Sequence, residues 1–327
     1  MELYKNKTLI NLKNHSKELL KLEYDAKLSE RIINEIYNYF KEVTLVSVEN
    51  QAVNNLSAIN ASSGKALSIN HAAQCFLDYK RTTKLLKGFV ACIRDKQKKH
   101  PQKKINILYT GCGPFAPFFI LVAPLFTSKE IQFTLLEINK RSLDKAKILT
   151  NALILTDYVE SYILSDATSL HLNAPDQYDI LFSETLDALL YRECYVPILW
   201  NLLPQLSKNI SVIPENVKID LYFKNSYKKV FSKNIFDVRE RVKKSSLISS
   251  LPIQFKTVKV PLKDASEYDK LLFTTEVYVY KDLKLLNDES SISRGLEMDI
   301  NKPIVHKTVY LTYHTSPNIE LKLALEN

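Results

Sequence analysis

The residues with the clearest chemical potential are two glycines and three carboxylates in the middle of the chain. Gly111 and Gly113 stand one residue apart after a short apolar run, where a tight strand-to-helix turn would present backbone N–H groups to a polar ligand. Glu137, Asp166 and Glu184 each follow a predicted strand. Because open parallel sheets bind ligands at the carboxyl ends of their strands, these residues predict a ligand site at one sheet edge.

The spacing of these residues indicates the kind of ligand. Glu137 lies 24 residues beyond Gly113, which suits a side chain that accepts hydrogen bonds from ribose hydroxyls. Hydride transfer with a dinucleotide is a competing interpretation of such a turn. The dinucleotide fingerprint, however, needs a third glycine where this chain has Ala116, preceded by Phe115. The pattern therefore favours an adenosyl site of another kind.

The elements that must position these residues form an alternating pattern. Strands are predicted over residues 105–109, 132–137, 161–164 and 179–182, and helices follow the first two, through residue 125 and over 139–153. Such alternation is typical of a parallel sheet with crossover helices. The predicted fold class is therefore α/β, with a Rossmann-like parallel sheet over residues 104–206.

The flanking regions differ from this core. Residues 1–103 predict a helical N-terminal arm, because apolar residues recur at spacings of three and four over residues 16–42 and again over about 71–95. Residues 207–327 predict a β-rich domain, barrel-like or a sandwich, that forms one wall of a substrate cleft. Its strand candidates are residues 217–223, 254–260, 271–280, 307–313 and 318–323.

Composition excludes several classes of protein. The chain has 327 residues, 46% hydrophobic and 25% charged, as an ordinary globular protein does. No apolar stretch reaches the ~18 residues of a membrane span, and the first residues lack a signal-peptide core. The four cysteines form no CxxC pair, which argues against a metal site and a disulfide framework. We therefore expect a cytoplasmic protein with no membrane partner.

The net charge of +9 raises the question of nucleic acid as a partner. Its densest part is the lysine-rich run over residues 96–104, directly before the first strand of the sheet. No aromatic side chains interleave with these lysines, unlike many nucleic-acid-binding surfaces. A solvated linker between domains is the favoured interpretation, and nucleic acid is the less favoured partner.

Taken together, the order of these signals over about residues 76–206 resembles the class I S-adenosylmethionine-dependent methyltransferases. The resemblance implies S-adenosyl-L-methionine as the cofactor. It also implies a place for each residue: Gly111 and Gly113 against the methionine part, Glu137 on the ribose hydroxyls, and Asp166 with Ala167 on the adenine. The chain departs from the family at Tyr109, where an acidic residue is frequent, and at Phe115, where glycine is frequent.

A second resemblance is more specific. The segment from Ser183 to Glu193 is similar to the double-E hairpin of the protein arginine methyltransferases, in which a second glutamate follows the first by nine positions. Glu184 and Glu193 have this spacing. Residues 78–82 resemble that family's Asp-x-x-Arg-Thr helix, which implies that Arg81 holds the methionine carboxylate of the cofactor.

The chemistry of a guanidinium explains why two glutamates would be needed. A guanidinium is charged near neutral pH and is a poor nucleophile. Two carboxylates can hold it by paired hydrogen bonds and draw its charge away from the reacting nitrogen. The resemblance therefore implies methyl transfer to a nitrogen acceptor, a guanidino nitrogen of arginine in free, peptide or protein form, with Glu184 and Glu193 as catalytic residues.

The C-terminal region departs from the arginine methyltransferases in one motif. Their Thr-His-Trp loop has no counterpart, since the only tryptophan is Trp200, and His306 is taken as the catalytic histidine with His314 as the alternative. Residues 211–223 resemble the strand that enters the family's β-barrel. The family's dimerisation arm is not evident in the sequence, so a homodimer is left open.

Two other functions are compatible with these residues. One is a small-molecule N- or O-methyltransferase of natural-product metabolism, in which Glu184 acts as general base or orienting group. The other is a catalytically silent methyltransferase-like domain that binds a partner or RNA through its basic surface. Stabilisation by S-adenosylhomocysteine without turnover on any acceptor would favour the silent domain.

Overall fold

The N-terminal part of the chain consists of helices that pack on the central sheet. The computed structural model describes residues 2–21, 25–47, 53–225, 228–245, 253–254, 257–259, 268–300, 308–314 and 319–326. The first elements are α1 (Glu2–Lys21), α2 (Ala26–Thr44), α3 (Val53–Leu56), β1 (Ile59–Asn60), β2 (Lys65–Ala66), α4 (Ile69–Cys75) and α5 (Tyr79–Lys99). Helices α1 and α2 both contact α5, and β1 pairs with β2 in a short antiparallel hairpin.

Two predicted helices are each divided by an aspartate. The prediction of one helix over residues 16–42 is wrong, because Asp25 caps the start of α2 by accepting a backbone hydrogen bond at 3.0 Å. The predicted helix over 71–95 is divided in the same way by Asp78, which accepts a hydrogen bond from the Arg81 N–H at 3.1 Å. This second cap places Arg81 in the first turn of α5.

The central sheet is parallel and five-stranded. Its elements are β3 (Ile105–Thr110), α6 (Pro117–Val122), β4 (Ile131–Glu137), α7 (Lys140–Ala152), β5 (Val159–Leu164), β6 (Ile180–Ser183), α8 (Tyr195–Leu202) and β7 (Ser211–Ile213). The strand order is β5-β4-β3-β6-β7. The chain therefore reverses direction across the sheet between β3 and β6, where open α/β sheets form a ligand crevice. The prediction of a Rossmann-like α/β core is confirmed.

The fifth strand of this sheet differs from its predicted place. Residues 211–223 resemble a single strand of the β-rich domain, but β7 pairs in parallel with β6, with Ile213 opposite Phe182. The next strand begins only at Asn216. The α/β sheet therefore continues past residue 206, where the sequence places the end of the core.

The lysine-rich run is more ordered than a solvated linker. Its first part is the last turn of α5, and the Lys96 ammonium donates a hydrogen bond to a backbone carbonyl at 2.9 Å. Lys103 pairs with Asp179 at 2.5 Å, and Lys104 donates to Gln132 at 2.8 Å. Residues 98–103 are exposed, as predicted for a solvated run, but α5 extends through Lys99 and the contacts of Lys96, Lys103 and Lys104 tie the run to the amino-terminal edge of the sheet.

The C-terminal region is rich in antiparallel strands, as predicted. Its elements are β8 (Asn216–Asn225), β9 (Lys228–Asp237), α9 (Val238–Ser245), β10 (Ile253–Gln254), β11 (Val258–Lys259), β12 (Lys270–Tyr280), β13 (Leu283–Leu285), β14 (Leu296–Asp299), β15 (Thr308–His314) and β16 (Glu320–Glu326). One sheet has the order β13-β12-β8-β9, with β14 also on β12, and the other joins β10, β11 and β16 to β15. Tyr313 stacks on Phe236 with ring centroids 5.6 Å apart, which packs the two sheets together.

Two hydrophobic clusters lie on opposite faces of the parallel sheet, because successive strand residues point to opposite sides. Ile107 and Tyr109 of β3 face the helices of the N-terminal arm, whereas Leu108 faces α8 and the β-rich region. The carboxyl edge of the sheet therefore opens where three parts of the molecule meet. A site at this edge can draw side chains from the arm, the sheet and the β-rich region.

Candidate functional site

A cavity of about 940 Å³, including the space open to solvent, lies at the carboxyl edge of the parallel sheet. Eight of the predicted site residues line it: Arg81, Gly111, Gly113, Glu137, Asp166, Ala167, Glu184 and Glu193. The structure thus brings together residues that are more than a hundred positions apart in the chain.

The glycine turn forms the floor of this cavity. Gly111 and Gly113 have φ angles of +64° and +66°, a region that side chains disfavour. A Cβ at Gly111 would also lie 2.2 Å from Cγ2 of Thr185, whereas at Gly113 the nearest atom would be at an ordinary 3.7 Å. At position 111, both the lack of room for a side chain and the backbone conformation therefore favour glycine. At position 113, only the backbone conformation does so.

Glu137 occupies the end of β4 and is only 6% exposed. Its Oε2 accepts a hydrogen bond from the Gly113 N–H at 2.8 Å, and its Oε1 accepts one from the Asn139 N–H at 2.9 Å. Burial raises the pKa of Glu137, although the backbone N–H donors oppose the shift. Since a carboxylate has about four acceptor positions, the cavity side of Glu137 can still accept hydroxyl hydrogens.

Asp166 occupies the loop after β5 and holds two segments together. Its Oδ2 accepts a hydrogen bond from the Ser62 N–H at 2.6 Å, and its Oδ1 accepts from the Thr168 N–H and hydroxyl at 2.8 and 2.7 Å. Burial opposes ionisation, but these donors outweigh it and lower the pKa of Asp166. Asp166 therefore ties the β1–β2 hairpin to the sheet edge, in addition to facing the cavity.

The β1–β2 hairpin covers part of the cavity. Its tip residue Gly64 has a φ of +91°, and a Cβ there would lie 2.6 Å from Ile319 of the β-rich region and 3.2 Å from Sγ of Cys194. Ala61 and Lys65 of the hairpin line the cavity. The sequence indicates a turn here but gives no sign of this role, because the contacts come from residues far along the chain.

Arg81 is 3% exposed, and its guanidinium forms an ion pair with the Glu184 carboxylate. Burial disfavours the charge on Arg81, but the neighbouring carboxylates outweigh it and raise its pKa. Arg81 is therefore a permanent, desolvated cation at the cavity wall. Such a group can hold a carboxylate ligand by two parallel hydrogen bonds.

Glu184 and Glu193 face this same part of the cavity. Burial raises the pKa of Glu184 to about 7, although the Arg81 guanidinium opposes the shift. Burial raises the pKa of Glu193 to about 8, with further contributions from Asp187 and Glu184. Within the described part of the chain, the Glu193 carboxylate makes no hydrogen bond and no ion pair. Both carboxylates thus lie near the Arg81 guanidinium, but only Glu184 is paired with it.

The backbone between the two glutamates is held in an unusual conformation. Leu189 and Leu190 both have positive φ angles, 62° and 56°. The Leu189 N–H donates to the Thr275 hydroxyl at 3.0 Å, and Asp187 accepts from the Glu193 N–H at 3.4 Å. Asp187 and Thr275 were not predicted as site residues, since neither lies at a strand end or in a recognised spacing. They nevertheless hold the backbone of the turn that leads to Glu193.

Neither of the two candidate histidines is placed at the cavity by the described residues. His306 lies outside the described residues. His314 ends β15, is partly buried and is not among the residues that line the cavity.

No group of three His, Cys, Asp or Glu side chains in the described ranges could hold a metal ion. The cysteines Cys75, Cys92, Cys112 and Cys194 are all free thiols.

Two solved structures are similar in fold to most of this chain. The Trypanosoma brucei PRMT1 enzyme–prozyme heterotetrameric complex with AdoHcy is 12% identical, with a TM-score of 0.50 over 78% of this chain and 92% of that chain. The open conformation of Arabidopsis thaliana protein arginine methyltransferase 10 is 11% identical, with a TM-score of 0.52 over 78% of this chain and 97% of that chain. The chain has the fold of the protein arginine methyltransferases.

This likeness is one of architecture, at identities too low to align side chains by sequence alone. No protein family model and no curated protein matches the sequence. Among the described residues, no helix is long and apolar enough to cross a membrane.

Proposed function

We propose that the chain is an S-adenosylmethionine-dependent methyltransferase that acts on a guanidino nitrogen. The cavity residues fit this cofactor. Gly111 and Gly113 place a turn without side chains at the cavity, and Glu137 retains acceptor capacity beside it. Arg81 supplies a buried cation for the cofactor carboxylate. The two structural neighbours support this fit, one of them being a complex with AdoHcy.

Each residue then has a defined task. Arg81 holds the methionine carboxylate, Glu137 accepts from the ribose hydroxyls, and Asp166 with Ala167 borders the adenine. Gly111 and Gly113 let the backbone approach the methionine part closely. S-adenosylmethionine supplies an electrophilic methyl group on a sulfonium. The protein's contribution is to bind the acceptor beside it, exclude water and orient one nitrogen.

The observation that carries the choice of acceptor is the unbalanced charge at the end of β6. Glu184 is paired with Arg81, but Glu193 has no cationic partner within hydrogen-bonding distance among the described residues. With both carboxylates ionised, these three groups carry a net charge of −1. A guanidinium acceptor would remove this imbalance and give Glu193 two donors. Glu184 and Glu193 are therefore the proposed catalytic pair.

His306 is retained as a further catalytic candidate through its position in the sequence. The resemblance implies a histidine beside the two glutamates, at the acceptor side of the site. Its contribution is tested separately, because His306→Ala should lower turnover while S-adenosylhomocysteine still binds. The matched variant His314→Ala should leave turnover unchanged, since His314 does not line the cavity.

A decisive test of the proposal uses Glu193→Gln, which keeps the size of the side chain and removes its charge. Turnover on free arginine, arginine peptides and arginine-containing proteins should fall by at least about a hundredfold, since a buried charge partner is lost. Affinity for S-adenosylhomocysteine, measured by calorimetry, should change little. Full activity of the variant would rule out the guanidinium acceptor.

A second candidate is methyl transfer to a neutral nitrogen or oxygen of a small molecule. It is favoured by one observation, that burial raises the pKa of Glu184 to about 7 and of Glu193 to about 8. Carboxylates titrating near neutral pH are suited to accept a proton from a neutral acceptor. Turnover on amines or phenols, with none on guanidino compounds, would establish this function instead.

A further inference from the structure

The start of α5, which carries Arg81, is joined to the β-rich region by a group of charged side chains. The Glu289 carboxylate receives the Lys80 ammonium at 2.8 Å and the Lys84 ammonium at 2.6 Å. The Lys84 ammonium also donates to the Lys284 carbonyl at 2.8 Å. These side chains are only about a fifth to a quarter exposed, so solvent screens them less than a surface ion pair. We call this group the Glu289 joint.

A second contact lies one turn away, at the cap of the helix. One oxygen of Asp78 accepts from the Arg81 N–H at 3.1 Å, and the other accepts from the Ser291 N–H at 2.8 Å and its hydroxyl at 2.7 Å. The backbone position of Arg81 is therefore set through Asp78 by a residue of the β-rich region more than two hundred positions away.

The middle and the end of α5 lie closely against β12, so these contacts act on a helix that is already docked. A Cβ at Gly88 would lie 2.4 Å from Cγ1 of Val279. At the other end of the helix, Asp95 accepts from the Tyr280 hydroxyl at 3.0 Å and pairs with Lys281. The Glu289 joint and Asp78 therefore set the position of the first turn, because the middle and end of α5 are fixed elsewhere.

We propose that Glu289 and Asp78 are positioning residues that hold Arg81 at the cofactor site. Glu289 belongs to the β-rich region, and Asp78 is bound to that region through Ser291. This proposal rests on the proposed function, in which Arg81 binds the cofactor carboxylate. Arg81 has to meet both that carboxylate and Glu184, so a small displacement of the first turn of α5 would misplace it. The β-rich region would thereby also control cofactor affinity.

The chain offers a matched control for Glu289. Glu297 of β14 also receives two lysines, Lys224 at 2.5 Å and Lys270 at 2.8 Å. Both lysines belong to the β-rich region itself, so neither of them connects Glu297 to α5. Glu289→Gln and Glu297→Gln thus remove the same charge from similar clusters, and only the first one touches the helix of Arg81.

The experiment measures S-adenosylhomocysteine affinity by calorimetry and hydrogen exchange of the 79–86 amides in the full-length protein. Glu289→Gln should weaken binding about tenfold and speed exchange, as expected when a positioning group is loosened. Glu297→Gln should leave affinity within about twofold and exchange unchanged. Equal effects of the two variants, or unchanged affinity and exchange in Glu289→Gln, would overturn the proposal.

Two further arms keep the result interpretable. Asp78→Asn keeps an oxygen to cap α5 but turns an amide donor towards the Ser291 N–H, so it should reproduce the effect if Glu289→Gln does not fold. If the wild-type protein binds no S-adenosylhomocysteine, the proposed function fails. Exchange of the 79–86 amides then still decides whether the Glu289 joint holds the first turn.

Discussion

The charges of three side chains decide how the acceptor side of the site behaves. Arg81 compensates Glu184, and the Glu193 carboxylate is left without a counterion among the described residues. A buried anion without a partner is costly, so the group binds a proton more readily than it would in water. A cation that binds Glu193 therefore competes with a proton for the carboxylate.

This coupling predicts a pH dependence of acceptor binding. A guanidinium needs ionised carboxylates, and burial raises the pKa of Glu184 to about 7 and of Glu193 to about 8. The KM for a guanidino acceptor should therefore fall roughly tenfold or more as the pH rises from about 6 to about 9. Steady-state kinetics would measure this. An increase in KM over the same range would contradict the assignment.

The same shifts have an opposite effect on stability. Between the ordinary glutamate pKa of 4.5 and these raised values, the folded protein binds more protons than the unfolded chain. The free energy of unfolding of the unliganded protein should therefore decrease as the pH rises through this window. Glu193→Gln serves as the control, since it removes one titrating group and should flatten both profiles.

Single residues were predictable where their type and spacing have few alternative uses. Two glycines in a turn and acidic residues at strand ends indicate a ligand edge through their order in the sequence. Asp187 and Ser62 were not predictable, because each acts through a backbone contact created by tertiary folding. Ser62, for example, donates to an aspartate 104 positions later in the chain.

At the scale of elements, the β1–β2 hairpin is the piece best placed to control access to the cavity. Gly64→Ala should displace its tip, because φ is +91° and the new Cβ would lie 2.6 Å from Ile319. We expect a loss of about 1–3 kcal/mol in stability and a faster release of S-adenosylhomocysteine. Thermal unfolding and stopped-flow displacement would measure the two effects.

Gly295→Ala provides the comparison for the hairpin variant. A Cβ at Gly295 would also be crowded, at 3.0 Å from Asn287, but the residue has no left-handed φ and does not line the cavity. It should lower stability without changing ligand release. If both variants release the ligand at the wild-type rate, the hairpin does not retain the ligand.

The elements differ in how far the sequence determines them. The first four strands of the parallel sheet are apolar runs bounded by glycine or acidic residues, and such runs have few alternatives in water. Each of the two predicted long helices joined two helices into one, because the apolar spacing continues through Asp25 and Asp78 while the side chains of these residues cap new helices. Strands β9, β13 and β14 were not predicted at all. In β14 every residue is exposed, so its pattern shows no buried face.

At the scale of the whole molecule, β12 connects both halves of the site to the β-rich region. On one side it packs against α5, which carries Arg81. On the other side Thr275, in the same strand, receives the hydrogen bond from the Leu189 N–H in the turn between the two glutamates. A single strand therefore contacts both the helix that carries Arg81 and the turn that precedes Glu193, although the sequence shows only its alternation of apolar residues.

This arrangement predicts a selective effect of Thr275→Val, which keeps the shape of the side chain and removes its hydroxyl. Leu189 has a φ of 62°, and its buried N–H would lose its acceptor, which costs about 1–3 kcal/mol. The turn should then relax and move Glu193, so kcat should fall about tenfold or more while S-adenosylhomocysteine affinity stays within about twofold. Thr275→Ser retains the hydroxyl and should keep wild-type turnover. If Thr275→Val lowered stability but left kcat unchanged, β12 would support the fold without positioning the acceptor glutamate.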